Sequence, residues 1–497
     1  MMIVKRIVLI SLLMGAAAYA DHDKRPNVIV ILADDMRYDG VAANGNAQVK
    51  TPNLNRLAER GSVFDHAYLQ GANTGATCVA SRAQLLCGRG VFRIEGGKGS
   101  TFAPSHKTIA QAFSSGGYFT FITGKSHNQP ESAMRGFQGG ARLYGLSKGA
   151  YYVTNKDERR SHFGLSYQDY REDGQYDEKH LYLVGLKGEK CSNPSEIKNH
   201  EGLHSSDVIG QAAVDFIQSY DRSDPFFLYL PFHAPHDPRQ APAEYLDLYP
   251  PESIALPSNF LPKHPFDFGE LKTRDEKLAP YPRTKEDTQK QLSEYYAIIT
   301  HMDAAIGRVF AALKERGLVD NTIVVFTSDS GLAVGSHGLF GKQNLYDDGG
   351  THVPMIMAGP GVPSGKRTDS LMYTYDLYPT LCDLTGVSIP DSVTGVSQKM
   401  AIEGNVKESV RDDLYFGFKG TVRAVCNERF KLIEYAYKGK RLTQLFDLEN
   451  DPDECTNLAD NAEYAQILNR MRKLLEGHRG DETESWRDKF WEIYNGK

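Results

Sequence analysis

Short β-branched runs alternate with helical patterns along most of this chain, the mark of a parallel sheet with helices on its faces. Asn27-Val-Ile-Val-Ile-Leu-Ala33 is almost wholly apolar, which predicts a strand buried on both sides. Thr108 to Ser115 predicts a helix and Tyr118 to Thr123 the next strand. Ser205 to Tyr220 carries Val208, Ile209, Ala212, Ala213, Phe216 and Ile217 at helical spacing, and Phe226 to Leu230 follows as a strand. The longest predicted helix runs from about Glu286 to Gly317, with Thr322 to Phe326 as the strand after it. From about Asp391 the texture changes. Leu414 to Phe418, Thr421 to Val425, Phe430 to Glu434 and Gln444 to Phe446 alternate like strands of a small antiparallel sheet, and Glu463 to Leu475 reads as its covering helix.

Charge-bearing residues cluster just past the carboxyl ends of the predicted parallel strands. Asp34-Asp35 follows the first, Lys125-Ser126-His127 the second, His233-Ala-Pro-His236 the third and Asp329 the fourth. In open α/β sheets that edge is where ligands bind, and four such placements argue for one convergent site. Alone, Asp34-Asp35 would read as a helix cap or a solvated loop. With Asp329 they make three carboxylates, which repel unless a cation sits among them, and oxygen donors suit Ca²⁺ or Mg²⁺. No His/Cys spacing of the zinc type is present. Lys125, Lys342, Arg82 and the histidines supply positive groups for a tetrahedral oxyanion beside a metal, a composition suited to hydrolysis of a sulfate or phosphate ester. The Ala-Pro between His233 and His236 forces an extended turn, so one of the two is expected to point inward.

Cys78-Val-Ala-Ser-Arg82 follows a turn of small residues, Gly71 to Thr77, which delivers Cys78 to a predicted helix start. Free backbone N–H groups there favour a thiolate or another anion, and Arg82, one turn later, is placed to reach back over Cys78. Such a thiol could be a nucleophile, half of a disulfide (Cys87 being nine residues on) or a site of covalent modification. The six cysteines are too thinly spread to be a disulfide framework.

Export is expected. Lys5-Arg6, an apolar run from Ile7 to Ala18 and Ala18-Tyr-Ala20 form a signal peptide over 1–20, cleaved after Ala20, which sends the protein to the periplasm or outside the cell. The run is too short for a membrane span and nothing later reaches that length. Charge is balanced, 57 Lys+Arg against 63 Asp+Glu, with no basic block, so nucleic acid is not an expected partner.

The Cys78 segment resembles the signature Cys-x-(Pro/Ala)-Ser-Arg of formylglycine-dependent sulfatases, members of the alkaline phosphatase superfamily. The resemblance extends to Val28-Ile-Val-Ile-Leu-Ala-Asp-Asp35, Thr51-Pro-Asn-Leu-Asn-Arg-Leu57, Gly124-Lys125-x-His127, Thr327-Ser-Asp329, Gly338-Leu-x-x-Lys342-x-x-x-Tyr346 and Phe446-Asp-Leu-x-x-Asp-Pro-x-Glu454-x-x-Asn457-Leu458. It implies a large mixed, mostly parallel sheet sandwiched by helices in a catalytic domain over 21–390, and a C-terminal subdomain over 391–497. It further implies that a maturation enzyme oxidises Cys78 to formylglycine and that Arg82 steadies it. Asp34, Asp35, Asp329 and the family's next position, here Ser330, would bind one Ca²⁺. Lys125, His127, His236 and Lys342 would hold the sulfate and move protons, the hydrated aldehyde attacking sulfur and a second hydroxyl on the same carbon expelling sulfate. Ser330 departs from the family's Asn, His or Gln, and a hydroxyl is the weaker ligand. A phosphodiesterase or phosphonate hydrolase of the same superfamily, or a binding protein that has lost catalysis, are the rival readings.

A sulfated carbohydrate is the expected substrate. His233 is a candidate contact. The segment from His127 to Gly202 adds Arg135, Arg142, Arg159 and Arg160 with Tyr144, Tyr151, Tyr152 and Tyr170. Arginine pairs with sulfate and aromatic rings stack on sugar faces, though tyrosine-rich loops also pack on themselves.

Overall fold

The computed structural model describes residues 25–95, 100–146, 162–163, 165–174, 176, 182–184, 190–191, 203–404, 409–483 and 490–496. The expected signal segment, 1–20, and Tyr151, Tyr152, Arg159 and Arg160 lie outside the described residues.

An eight-stranded sheet forms the centre, in the order Lys366–Thr368, Ser62–Phe64, Met355–Ala358, Thr322–Ser328, Asn27–Ala33, Phe226–Pro231, Phe119–Lys125, Gly139–Tyr144. Met355–Ala358 alone pairs antiparallel with its neighbours; the other contacts are parallel. Asn27–Ala33 lies mid-sheet, with Ile29 opposite Leu228 on one side and Val324 on the other. All of its residues are buried, as its unbroken apolar run requires. Its alternate side chains feed two cores. Ile29 and Ile31 pack with the helices Ser205–Ser219 and Lys285–Glu315 through Ile209, Ile217, Ile299 and Met302. Val28, Val30 and Leu32 pack on the opposite face with the helices Thr77–Cys87, Ile109–Ser115 and Leu377–Thr385 through Leu86, Phe113 and Leu381. Among the described residues only Lys285–Glu315 is long and apolar enough to cross a membrane, and its apolar side is spent on this core.

The predicted elements recur with shifted ends. The helix expected from Thr108 begins at Ile109 because Thr108 is its cap: Thr108 Oγ1 accepts from Gln111 N at 3.1 Å, and Gln111 Oε1 accepts from Thr108 N at 3.1 Å. The strand expected to end at Thr123 continues to Lys125, since pairing with Gly139–Tyr144 carries it two residues further. That extension, with a register shift at Thr123/Gly124, sets Lys125 at the sheet edge.

A second sheet has the order Lys440–Asp447, Phe430–Tyr437, Val422–Cys426, Leu414–Phe418, Gly71–Ala72. The first four are the expected antiparallel strands, covered by the helix Ala465–Gly477 through Leu468, Met471 and Leu475. The fifth was not anticipated: Gly71–Ala72, just ahead of Cys78, pairs parallel with Gly417 and Phe418. Two residues are too few to leave a pattern, yet they tie the turn before Cys78 to the C-terminal sheet.

Gly124 has φ +101°, and a Cβ there would lie 2.0 Å from the carbonyl oxygen of Pro231. Gly124→Ala is expected to cost at least about 2 kcal/mol in denaturant unfolding, from backbone strain and overpacking together. Wild-type stability in that variant would mean that the strand end tolerates displacement.

Candidate active site

Four parallel strands converge their carboxyl ends on one place, and the side chains that follow them meet there. Asp35 and His127 turn the chain sharply, at φ +68° and +67°, values that residues other than glycine adopt rarely and mostly at functional sites. Asp35 is held in that turn by its own N–H, which donates to Asp329 Oδ1 at 3.1 Å, and by Tyr295, whose hydroxyl donates to the Asp35 carbonyl at 2.7 Å.

Asp34, Asp35 and Asp329 are buried together with three cations. Arg82 Nε donates to Asp329 Oδ2 at 2.7 Å, one Arg82 amino group donates to the Lys125 carbonyl at 2.6 Å, and the other lies 3.5 Å from Asp34 Oδ2. Lys125 Nζ pairs with Asp34 Oδ2 and Lys342 Nζ with Asp35 Oδ1. Burial alone would raise the pKa of Asp34, but Lys125, His236 and Arg82 hold it well below the usual carboxylate range. Burial, followed by the neighbouring Asp34, pushes Asp329 up to about 6. Burial opposes charge on Lys342, yet Asp35 keeps it protonated well above the ordinary lysine range.

Cys78 is the second residue of the Thr77–Cys87 helix, 1% exposed, with Lys342 Nζ at 2.8 Å and Asp35 Oδ1 at 3.2 Å from its sulfur. Two expectations change here. The helix start does not by itself favour a thiolate: burial, then Asp329 and Asp35, push the pKa of Cys78 well above the ordinary value, and Lys342 only partly opposes them. The hydrogen bonds of Arg82 go to Asp329 and the Lys125 carbonyl rather than to Cys78, because buried carboxylates are stronger partners for a guanidinium than a neutral thiol. Cys78 and Cys87 are both free; near opposite ends of one helix they sit about 13 Å apart along its axis, beyond any disulfide.

A cavity of about 380 Å³ opens onto this group. Cys78, Lys125, His127, His236 and Lys342 form its floor. Burial, then Lys125, holds the pKa of His127 well below the ordinary histidine value. His236 Nδ1 lies 2.7 Å from the Asp237 carbonyl, which can only accept, so that nitrogen carries the proton and Nε2 is turned toward Asp35 at 3.7 Å. Of the two histidines flanking Ala-Pro, His236 lines the cavity and His233 does not, as the extended turn implied; His233, expected as a substrate contact, is buried instead. The turn closes through His236 N to His233 O at 3.1 Å, the rings stack at 5.1 Å, and His233 Nδ1 comes within 3.6 Å of Asp34 Oδ2.

Asp34, Asp35, Asp329 and Cys78 each bring a ligand atom within 4.8 Å of the others, a grouping that could hold a metal ion. Asp34 Oδ1 is buried with no hydrogen-bond partner, so an oxygen lone pair faces the group unsatisfied. Hard carboxylate donors suit a hard divalent cation. Ser330 Oγ donates to Asp35 Oδ1 at 2.8 Å, which sets its hydroxyl beside the same group.

Besides His233, the other two expected substrate contacts do not reach the cavity either. The Arg135 guanidinium stacks on Phe102 at 5.0 Å and bonds the carbonyls of Ser132 and Ala103; Arg142, on the outermost strand, lies 3.7 Å from Asp169. Tyr144 is buried against His233 rather than exposed to a sugar. The outer wall comes instead from Thr273, Arg274 and Asp275, with Gln343, Gly75 and Ala76. Thr273, Arg274 and Asp275 belong to the segment from Asp237 to Arg283, which carries no recognisable motif.

Comparison with known proteins accords with this geometry. The sequence model of the sulfatase family matches residues 26–387, and that of the N-sulphoglucosamine sulphohydrolase C-terminal region matches 335–481. The chain belongs to the sulfatase family. It is 32% identical to an arylsulfatase of Clostridium perfringens, over 91% of this chain and 94% of that protein. It is 25% identical to an N-acetylglucosamine-6-O-sulfatase of Bacteroides thetaiotaomicron, over 94% and 88%. In fold it is similar to a protein solved with its substrate D-glucosamine-2-N,6-O-disulfate, with a TM-score of 0.70 at 22% identity over 92% and 98%. This sulfatase is a sulfuric ester hydrolase with an alkaline-phosphatase-like sheet.

Asp329→Asn is expected to weaken divalent-cation binding, read by isothermal titration calorimetry, roughly a hundredfold or more. Unaltered affinity would remove Asp329 from the ligand set.

Proposed function

We propose that this sulfatase removes sulfate from a sulfated carbohydrate, with formylglycine made from Cys78 by a maturation enzyme and one Ca²⁺ held by Asp34, Asp35 and Asp329, with Ser330 beside them. The observation that carries this reading is the place of Cys78, whose sulfur touches both Lys342 and Asp35 at the floor of a cavity lined by positive and proton-carrying groups. A buried, protonated thiol is a poor nucleophile. Formylglycine, when hydrated, supplies an oxygen nucleophile and a second hydroxyl on one carbon. Calcium, when bound, supplies positive charge at the carboxylates.

The chain's own residues do the remainder. Lys125 and Lys342, both kept protonated by their carboxylate partners, face the sulfate oxygens. His236 is oriented by the Asp237 carbonyl at Nδ1, so that in its imidazolium form, with a proton on each nitrogen, it donates the Nε2 proton to the departing alcohol. His127, kept neutral by burial and Lys125, is the base on the cavity floor that accepts a proton from the second hydroxyl. Arg82 holds Asp329 and the end of the strand bearing Lys125 in register. A carbohydrate substrate is supported by the match to the N-sulphoglucosamine sulphohydrolase C-terminal region and by the likeness to the Bacteroides N-acetylglucosamine-6-O-sulfatase. The Lys5-Arg6 to Ala20 segment supports export to the periplasm or beyond.

Cys78→Ala is expected to fold with a Tm near wild type and to lose at least about 10⁴-fold in kcat, as loss of a nucleophile does. Comparable turnover in that variant would end the proposal. Matched aryl sulfate and aryl phosphate esters test the reaction class, with the sulfate ester expected to react faster; preference for the phosphate would favour phosphohydrolase chemistry.

A further inference from the structure

Basic groups paired with carboxylates line the cavity at two places. The floor presents Lys125 and Lys342. On the wall, the Arg274 guanidinium donates to both oxygens of Asp237, at 2.7 and 2.9 Å, and also pairs with Asp275, so one positive charge stands between two negative ones. Asp275 is itself fixed, accepting from Gln343 Nε2 at 2.8 Å, while the same amide nitrogen donates to the Gly75 carbonyl at 3.0 Å. Asp237 and Asp275 are buried and the Arg274 side chain is 42% exposed, so the fork is held from behind and presented toward the opening.

Two buried carboxylates behind Arg274 occupy and neutralise its charge, so the guanidinium is a poor partner for a second sulfate. The wall suits hydroxyl groups, which can donate to a carboxylate and accept from a guanidinium at once. The volume, about 380 Å³, is at the small end of ligand pockets and accommodates one sugar ring with its sulfate. Among the described residues no Phe, Tyr or Trp lines the cavity, and the polar groups of Arg274, Asp275 and Gln343 are there to hydrogen-bond.

We propose that Arg274, braced between Asp237 and Asp275, is the specificity-determining group that reads the hydroxyls of a singly sulfated sugar residue and disfavours a second sulfate beside the scissile one. This rests on the sulfatase reading of Cys78 above. Arg274 recognises the substrate directly and, through Asp237, also borders His236.

The matured enzyme is assayed on the best-cleaved hexose monosulfate of a positional panel, on the same hexose with a second sulfate on the adjacent hydroxyl, and on 4-nitrophenyl sulfate. Wild type is expected to prefer the monosulfate over the disulfate by about tenfold or more in kcat/KM. In Arg274→Ala, the ratio of kcat/KM on the hexose monosulfate to that on 4-nitrophenyl sulfate, which has no hydroxyls, is expected to fall roughly thirtyfold. Asp275→Asn is expected to narrow the preference against the disulfate. Arg274→Lys, which keeps the charge and loses the fork, is read in the same way should the alanine variant not fold. Equal turnover of monosulfate and disulfate by wild type, or an unmoved ratio in the Arg274 variants, overturns the proposal. Silence of wild type on 4-nitrophenyl sulfate alongside all sugars would overturn the reading of Cys78 beneath it.

Discussion

Three carboxylates and three cations buried within a few ångströms of one another hold this molecule's working edge together. Asp34, Asp35 and Asp329 could not be dehydrated singly; each is compensated by Lys125, Lys342 or Arg82, and Arg82 spans two of them. Such a cluster gains little stability over an apolar core of equal volume, because desolvation consumes most of the Coulomb attraction. What it provides is position. The wholly buried Thr77–Cys87 helix is anchored through Arg82 to strand ends that lie far away in the chain, and Cys78 is thereby set against Lys342 and Asp35.

The surrounding architecture serves to keep that cluster rigid. Parallel strands end in register, so the residues after them arrive at one edge without long loops to position them. The left-handed backbone at Asp35 and His127 is affordable only because neighbouring hydrogen bonds over-determine it, among them those from Tyr295 and to Asp329. The short strand Gly71–Ala72 adds a brace from the C-terminal sheet, so the second sheet bears on the chemistry without contributing a residue to the cavity floor.

Much of this was legible beforehand, for identifiable reasons. Asn27–Ala33 was read with both ends right because its burial on two faces leaves no polar interruption. Lys125, His127, His236 and Lys342 were named from short motifs, and all four line the cavity floor. Reading failed where local rules were overridden by tertiary contact. His233, read as a substrate contact, is taken up by Asp34 and by the ring of His236 rather than by the cavity. Arg135 and Arg142 sat in an attractive loop but found partners of their own near at hand. Arg274 carried no motif; it matters because the fold lays Thr273–Asp275 across the mouth of the cavity.

The sequence by itself determined which elements form and which residue types stand at their ends, because strand burial, helix periodicity and short motifs are local and need few neighbours to be expressed. It also determined the family, through residues whose order along the chain is distinctive. Charge partners, the surroundings that raise the pKa of Cys78, the stacking of the two histidines and the identity of the cavity wall emerge only on folding. Those depend on distance and desolvation between groups hundreds of residues apart, such as Asp35 and Lys342, and electrostatic energies in a buried site change too steeply with distance for chain order to fix them.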